Sequence, residues 1–129
     1  MFSEPNVLVI DDDPMIGRLM STVLQREGYH VRVTESIKGA LAMIESEIPD
    51  VILCDLVLPL VDGLDFLKQR LTTPKLANIP VVIVSASSEE PMIAKALSLG
   101  AAETLRKPFG RVDLVDVVMS AVGKTQGHG

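Results

Sequence analysis

Acidic, hydroxyl and basic side chains follow four short stretches of this 129-residue sequence. They are Asp11, Asp12 and Asp13 after Val7–Ile10, Asp55 after Val51–Cys54, Ser85 after Val81–Val84, and Lys107 after Glu103–Arg106. Carboxylates that lie close together raise one another's pKa unless a cation neutralises them. Mg²⁺ suits such a group because it prefers carboxylate and carbonyl oxygen and binds sites that phosphate completes. A carboxylate flanked by Mg²⁺, a lysine and a hydroxyl is equipped to attack phosphorus and form an aspartyl phosphate.

The spacing of apolar residues predicts the elements that would position these side chains. Continuous apolar runs are typical of buried parallel strands, and stripes at helical spacing lie between them. The predicted strands are Val7–Ile10, Val31–Val33, Val51–Cys54, Val81–Val84 and Glu103–Arg106, and five helices alternate with them. This alternation predicts an α/β fold with one parallel sheet covered on both faces. Ligands of such sheets bind at the carboxyl ends of the strands, where the polar residues should gather.

Helix boundaries follow from capping residues and breakers. Asp13 and Ser36 are predicted N-caps, whereas Asp62 is predicted to be a turn residue. The fourth helix is expected to turn Ile93, Ala96 and Leu97 inward, and the last helix to run from about Val112 to Val122. The prediction is one domain over residues 1–123, followed by a disordered tail over residues 124–129.

Composition narrows the class of protein. A content of 47% hydrophobic residues suits one substantial core, and a net charge of −5 with scattered basic residues argues against direct nucleic-acid binding. No apolar run approaches the length of a membrane span, and no targeting segment opens the sequence. Cys54 is the only cysteine, which rules out an internal disulfide and suits a reducing compartment. These features predict a cytoplasmic protein that binds neither nucleic acid nor a membrane.

From Val7 to Val122 the sequence resembles the response-regulator receiver domains of two-component signalling. The motifs that carry the resemblance are VIDDDP, CDLVLPLVDG, the Ser85-Ala86 pair and Lys107-Pro108-Phe109, in that order. The resemblance to chemotaxis receivers implies a flavodoxin-like, doubly wound, five-stranded parallel sheet with strand order 2-1-3-4-5 and five helices.

The resemblance also implies a set of metal ligands. Asp12 would bind Mg²⁺ directly, and Asp11 would act mainly through a metal-bound water. Asp55 and the backbone carbonyl of Val57 would complete the protein's share of the coordination.

The same resemblance implies that Asp55 is the phosphoacceptor and that Ser85 and Lys107 contact the phosphoryl group. The phosphate would come from a sensor histidine kinase or a phosphotransfer protein. The chain would not be an enzyme in the usual sense, but a phosphoacceptor domain that assists its own phosphotransfer and dephosphorylation.

Output is expected through the face formed by the fourth helix, the fifth strand and the fifth helix. A downstream effector protein, a covalently attached output domain or a second copy of the chain could cover this face. Val117 and Met119 lie off the main apolar stripe of the last helix, so they contact such a partner or add burial within the fold. Many receivers carry Tyr or Phe three residues before the lysine, where this sequence has Thr104, so the route of the signal is open.

Two other functions compete with a phosphorylated receiver. A scaffold that keeps the fold without phosphotransfer is disfavoured by the complete set of Asp11, Asp12, Asp55 and Lys107. A phosphatase with an aspartate nucleophile would place a second aspartate two residues after Asp55, where this sequence has Val57. The side chain of Val57 also has no amide or acid group that could position water, so we expect the phosphorylated form to lose its phosphoryl group slowly.

Overall fold

A five-stranded parallel sheet forms the centre of the computed structural model, which describes residues 4–86 and 90–126, with side chains described as far as residue 123. The described elements are, in chain order, β1 (Asn6–Ile10), α1 (Pro14–Arg26), β2 (His30–Thr34), α2 (Ile37–Ser46), β3 (Val51–Asp55), α3 (Gly63–Leu71), α4 (Pro74–Ala77), β4 (Val81–Ala86), α5 (Glu90–Ser98), β5 (Glu103–Lys107) and α6 (Arg111–Gln126). The predicted α/β class and all five strands are confirmed.

The strand order is β2-β1-β3-β4-β5, as predicted, and every neighbouring pair is parallel. The chain winds outward from β1 to β2 and then returns to β3 on the other side of β1. The winding direction therefore reverses between β1 and β3, which creates a crevice at their carboxyl ends.

Each face of the sheet is covered by its own apolar cluster. Alternate strand residues such as Leu8 and Ile52 pack with α2, α3 and α5 on one face. Their neighbours, such as Val9 and Leu53, pack with α1 and α6 on the other. Burial on both faces explains why these strands are continuously apolar. Among the described residues, no helix is both long and apolar enough to cross a lipid bilayer.

Side-chain caps begin three of the helices. The carboxylate of Asp13 accepts a hydrogen bond from the Met15 amide at 2.9 Å, and the Ser36 hydroxyl accepts one from the Gly39 amide at 3.0 Å, so both predicted caps are confirmed. Asp62 is also an N-cap and forms a reciprocal capping box with Asp65. Its prediction as a turn residue was therefore wrong, because Asp65 three residues later completes the box.

Helix number and helix ends depart from the prediction in two places. The structure has six helices in the described residues rather than five, because one extra turn, α4, forms where Pro74 supplies a favourable first helical residue. The last helix runs to Gln126, beyond the predicted end at Val122. The rest of the predicted disordered tail, residues 127–129, lies outside the described residues.

The inward face of α5 is narrower than predicted. Ala96 is buried and Ile93 is half-buried, as expected, but the side chain of Leu97 is 49% exposed. The prediction that Leu97 points inward was wrong. A short helix that covers the sheet near one edge buries a narrow strip, whereas helical spacing alone allows a wider one.

Gly63 lets α3 begin directly against the end of β3. A Cβ at this position would lie 2.8 Å from the carbonyl oxygen of Asp55 and 3.0 Å from the Cα of Leu56. The Gly63 amide donates a hydrogen bond to the Leu56 carbonyl at 2.9 Å. The absence of a side chain at Gly63 therefore sets the position of the segment that carries Asp55.

We expect Gly63→Ala to lower the free energy of unfolding by about 1–3 kcal/mol, because its clashes are with backbone atoms that cannot rotate away. Gly110→Ala is the matched control, since an added Cβ there meets nothing within 4 Å. Urea denaturation of both variants checks this. Equal stability of the two variants would contradict the close approach at Gly63.

Candidate functional site

The predicted site residues lie at the carboxyl ends of four strands. Asp11 follows β1 directly, Asp55 and Lys107 are the last residues of β3 and β5, and Ser85 lies near the end of β4. Asp11 and Ser85 are completely buried and Asp55 almost so, whereas Asp12 is exposed. This edge of the sheet therefore holds charged groups within a largely buried setting.

Lys107 joins the two buried carboxylates. Its ammonium nitrogen lies 3.2 Å from Oδ2 of Asp11 and 3.2 Å from Oδ2 of Asp55, and it donates a hydrogen bond to Asp55. A lysine ammonium is a compact charge that can serve two carboxylates at once. Lys107 therefore holds together residues from β1, β3 and β5.

Electrostatics at Asp55 are unfavourable despite this contact. Burial and the nearby charge of Asp11 raise the pKa of Asp55, while Lys107 and the Val57 amide act in the opposite direction. The Val57 amide lies 3.4 Å from Oδ1 of Asp55. Burial lowers the pKa of Lys107, but the charges of Asp55 and Asp11 outweigh it, so the pKa of the ammonium is raised. The lysine therefore stays charged, whereas burial and the charge of Asp11 disfavour the ionised form of Asp55.

Asp11 is only partly satisfied. Its Oδ1 accepts a hydrogen bond from the Asp13 amide at 2.9 Å, which orients the carboxylate. Its Oδ2 is buried and accepts no directed hydrogen bond from the described residues, although it forms the ion pair with Lys107. An under-satisfied buried carboxylate oxygen calls for a further cationic partner.

A divalent cation fits this arrangement. Carboxylate oxygens of Asp11, Asp12 and Asp55 lie within 4.8 Å of one another. Hard cations such as Mg²⁺ take oxygen ligands of this kind and retain several waters, for which the exposed Asp12 leaves an open side. The three predicted aspartate ligands are thus brought together. Val57, the fourth, lies in the adjacent connection, where it contacts Asp55 through its amide.

The hydroxyl of Ser85 has no hydrogen-bond partner among the described residues, although its oxygen is buried. In the β3–β4 register, Asp55 pairs with Val84, so Ser85 lies one residue beyond the partner of Asp55. A buried hydroxyl without a partner is costly and available for a new contact. Ser85 is therefore placed to contact a group added near the end of β3.

Cys54 packs inside the sheet beside the site. Its thiol is completely buried, and burial raises its pKa. A reactive cysteine needs the opposite conditions, namely partial exposure and nearby positive charge. Cys54 is therefore a packing residue of the core.

Two features of the site were not predicted. The Val57 amide contacts Asp55, whereas the sequence indicated a role only for the Val57 carbonyl. Gly63 approaches the backbone next to Asp55 closely, and the CDLVLPLVDG motif in which it stands did not reveal this contact. Both depend on backbone positions that residue type alone does not reveal.

Comparison with known proteins identifies the family. The family model for the response regulator receiver domain matches residues 7–119. The chain belongs to this family. It is therefore a signalling domain of two-component systems, and response regulators as a family work with histidine kinases and output effectors.

Relatives of two sizes match the chain. It is 37% identical over 113 residues to the two-component response regulator ORR12 of Oryza sativa subsp. japonica, covering 87% of this chain and 93% of that protein. It is 36% identical over 105 residues to the KDP operon transcriptional regulatory protein KdpE of Escherichia coli K12, covering 81% of this chain and 45% of that protein. The chain thus spans most of the length of one relative and about half of the other.

Solved structures share the fold. The receiver domain of NtrX from Brucella abortus has a TM-score of 0.85 at 29% identity, over 90% of this chain and 97% of that one. The chemotaxis protein CheY4 of Vibrio cholerae also has a TM-score of 0.85, at 25% identity, over 92% of this chain and 99% of that one. The flavodoxin-like receiver fold is confirmed.

The raised pKa of Asp55 predicts how its charge affects stability. The folded chain holds a proton on Asp55 more tightly than the unfolded chain does, so stability is lost as pH rises above ~3.9, the ordinary aspartate value. In EDTA at about pH 7, Asp55→Asn should therefore raise the melting temperature by a few degrees. The difference should shrink as pH falls toward ~4. Thermal unfolding followed by circular dichroism measures both effects.

Asp116→Asn, which removes an exposed carboxylate from α6, is the control and should leave the melting temperature almost unchanged. A lower melting temperature for Asp55→Asn in EDTA would show that the ion pair with Lys107 outweighs burial and the charge of Asp11.

Proposed function

We propose that this chain is a phosphorylation-switched receiver that accepts a phosphoryl group on Asp55 in a Mg²⁺-dependent reaction. The observation that carries the proposal is the contact of Lys107 with both Asp11 and Asp55 at 3.2 Å. It supports the proposal because the three charged side chains meet at one edge of the sheet, where Asp55 would act as the nucleophile and Lys107 would bind the phosphoryl group. The donor would be a histidine kinase or a phosphotransfer protein.

Mg²⁺ would be held by Asp11, Asp12, Asp55 and the carbonyl of Val57, with Asp11 acting mainly through water. When bound, it offsets negative charge on the phosphoryl oxygens. The cluster of three carboxylates and the under-satisfied Oδ2 of Asp11 support this assignment.

In the transfer step, an oxygen of Asp55 forms a bond to phosphorus as the P–N bond of the donor phosphohistidine breaks, and the donor imidazole takes the bonding electron pair. Lys107 shifts from carboxylate to phosphoryl oxygen and neutralises its charge. Ser85 donates its free hydroxyl to another phosphoryl oxygen. Positioning and charge neutralisation supply the catalysis, as is usual for phosphoryl transfer.

The new contacts to Ser85 and Lys107 exist only in the phosphorylated form, so they shift the population between two conformations. The face formed by α5, β5 and α6 would contact the partner that transmits the signal. Met119 is exposed on this face and Val117 is half-buried. The partner that binds this face would be a downstream effector, an attached output domain or a second copy of the chain. KdpE is named a transcriptional regulatory protein and is about twice as long as the matched region, which supports an attached domain as one of these.

The buried free thiol of Cys54 supports a cytoplasmic location.

Intact-mass spectrometry after incubation with Mg²⁺ and acetyl phosphate tests the acceptor. We expect one phosphoryl adduct on the wild type and none on Asp55→Asn, because the amide of asparagine is not a nucleophile for phosphorus. EDTA should abolish the adduct on the wild type. Asp116→Asn, which changes an exposed aspartate far from the acidic cluster in sequence, should accept one phosphoryl group like the wild type.

An adduct that survives in Asp55→Asn would place the acceptor on another aspartate. A wild type that binds Mg²⁺ but gains no adduct would favour the scaffold function over phosphotransfer.

The side chain at position 57 should control the lifetime of the phosphorylated form. The side chain of Val57 is half-exposed and apolar, so it cannot hydrogen-bond a water molecule that approaches the phosphorus. We expect Val57→Asn to shorten the half-life roughly tenfold or more, because an amide can orient the attacking water. Loss of the phosphoryl adduct with time, after removal of acetyl phosphate, gives the half-life.

Val61→Asn is the matched control, since it adds the same amide at another exposed valine of the same connection. A half-life that is equally short for the wild type and Val57→Asn would refute the role of Val57.

A further inference from the structure

A cavity of about 700 Å³ lies between α1, the end of β2 and the connection from β2 to α2. Its volume is within the range of roughly 300–1,000 Å³ that is usual for small-molecule sites. The cavity adjoins the acidic cluster of Asp11, Asp12 and Asp55, because Asp11 also lines it. Apart from Asp11, its lining residues take no part in the proposed phosphotransfer.

The side of α1 that lines the cavity is polar after its first residue. Arg18, Ser21, Thr22 and Gln25 follow Pro14 at intervals of three or four residues, so they share one side of the helix. The apolar residues that pack α1 onto the sheet lie elsewhere on the helix. Packing of α1 therefore does not account for these polar side chains.

Close packing beside the cavity sets its walls. A Cβ at Gly17 would lie 2.9 Å from Cγ1 of Val33, so the backbone of α1 lies directly against β2 there. The half-buried Val33 also lines the cavity and gives it an apolar surface. The Ser36 hydroxyl lines it too, and although it accepts a hydrogen bond from the Gly39 amide, it retains its own proton to donate. The cavity thus combines an apolar surface with hydrogen-bonding groups.

Two opposite charges line the cavity without neutralising each other. Arg18 lies on α1 and Glu35 follows β2, and neither side chain forms an ion pair or a hydrogen bond within the part of the chain that the structure describes. A guanidinium binds a carboxylate through two parallel hydrogen bonds, and a glutamate carboxylate accepts hydrogen bonds from an ammonium group. One ligand that carries both a carboxylate and an ammonium group would therefore satisfy both residues.

We propose that this cavity binds a small zwitterion of the amino-acid class, with its carboxylate on Arg18 and its ammonium group on Glu35. The neighbouring hydroxyls supply further hydrogen bonds, and Val33 contacts the aliphatic part of the ligand. A simple anion such as phosphate suits the cavity less well, because Glu35 repels it. The inference does not depend on phosphorylation of Asp55.

Nuclear magnetic resonance titration of the full chain tests the inference, since shifts of the backbone amide signals give both affinity and location. The probes are the standard amino acids, β-alanine and γ-aminobutyrate. We expect at least one probe to bind with a Kd of about 1 mM or tighter and to shift signals of α1 and β2. Its N-acetyl derivative lacks the ammonium charge and its amide derivative lacks the carboxylate, so each should bind about tenfold or more weakly.

Variants that remove one charge assign the binding groups. Arg18→Gln and Glu35→Gln should each weaken binding about tenfold or more, because each removes one charged hydrogen-bonding partner. Both residues are exposed, so both variants should fold like the wild type. Arg26→Gln and Glu47→Gln are the matched controls, since they change exposed residues of the same types that do not line the cavity, and they should bind like the wild type.

Three results would overturn the inference. They are failure of every probe to bind, equal binding of an amino acid and either of its derivatives, and wild-type affinity in Arg18→Gln or Glu35→Gln. Asp55→Asn distinguishes the cavity from the acidic cluster and should keep wild-type affinity. Loss of binding in Asp55→Asn would place the ligand in the acidic cluster, and the inference would then be wrong.

Discussion

The ion pair between one ammonium and two buried carboxylates is the constraint on which the site depends. Asp11 and Asp55 end adjacent strands, and their charges would repel in so dry a setting. Lys107 reaches both from β5, two strands away from β3, and its contacts are equal in length. The strand order matters for this reason: with β3 between β1 and β4, the strand ends that carry Asp11, Asp55 and Lys107 lie near one another along the carboxyl edge of the sheet.

Compensation of the charges is incomplete, since the pKa of Asp55 remains raised and Oδ2 of Asp11 accepts no hydrogen bond from the part of the chain that the structure describes. A fully neutralised cluster would gain little from binding a cation or from the relocation of Lys107. In the proposed reaction, the residual imbalance would favour both events. The unfavourable electrostatics of the unphosphorylated site would thus help to favour the phosphorylated conformation over the unphosphorylated one.

The sequence predicted that these side chains lie close together, because strand ends can be located from apolar runs and parallel strands end at the same edge. Asp11, Asp55 and Lys107 were found by this rule and lie in contact. Prediction from apolar spacing failed where tertiary packing determines burial. Leu97 has the spacing of an inward-facing helical residue, but it lies too far around α5 to be buried. The φ of 69° at Leu60 could likewise not be predicted from the sequence, because leucine gives no signal of a positive φ.

Contacts of β5 connect the end of β4 to α5. Thr104 is half-buried and lines a cavity of about 520 Å³ between β5 and α6, and it carries no ring that could turn inward when Ser85 moves. Ser85 pairs with Arg106 in the β4–β5 register, and the Arg106 guanidinium forms an ion pair with Glu90 in the first turn of α5. The pair is exposed and contributes little to stability, so it can be broken and remade at small cost. A weak contact of this kind suits a switch, because a modest shift at the end of β4 is enough to change it.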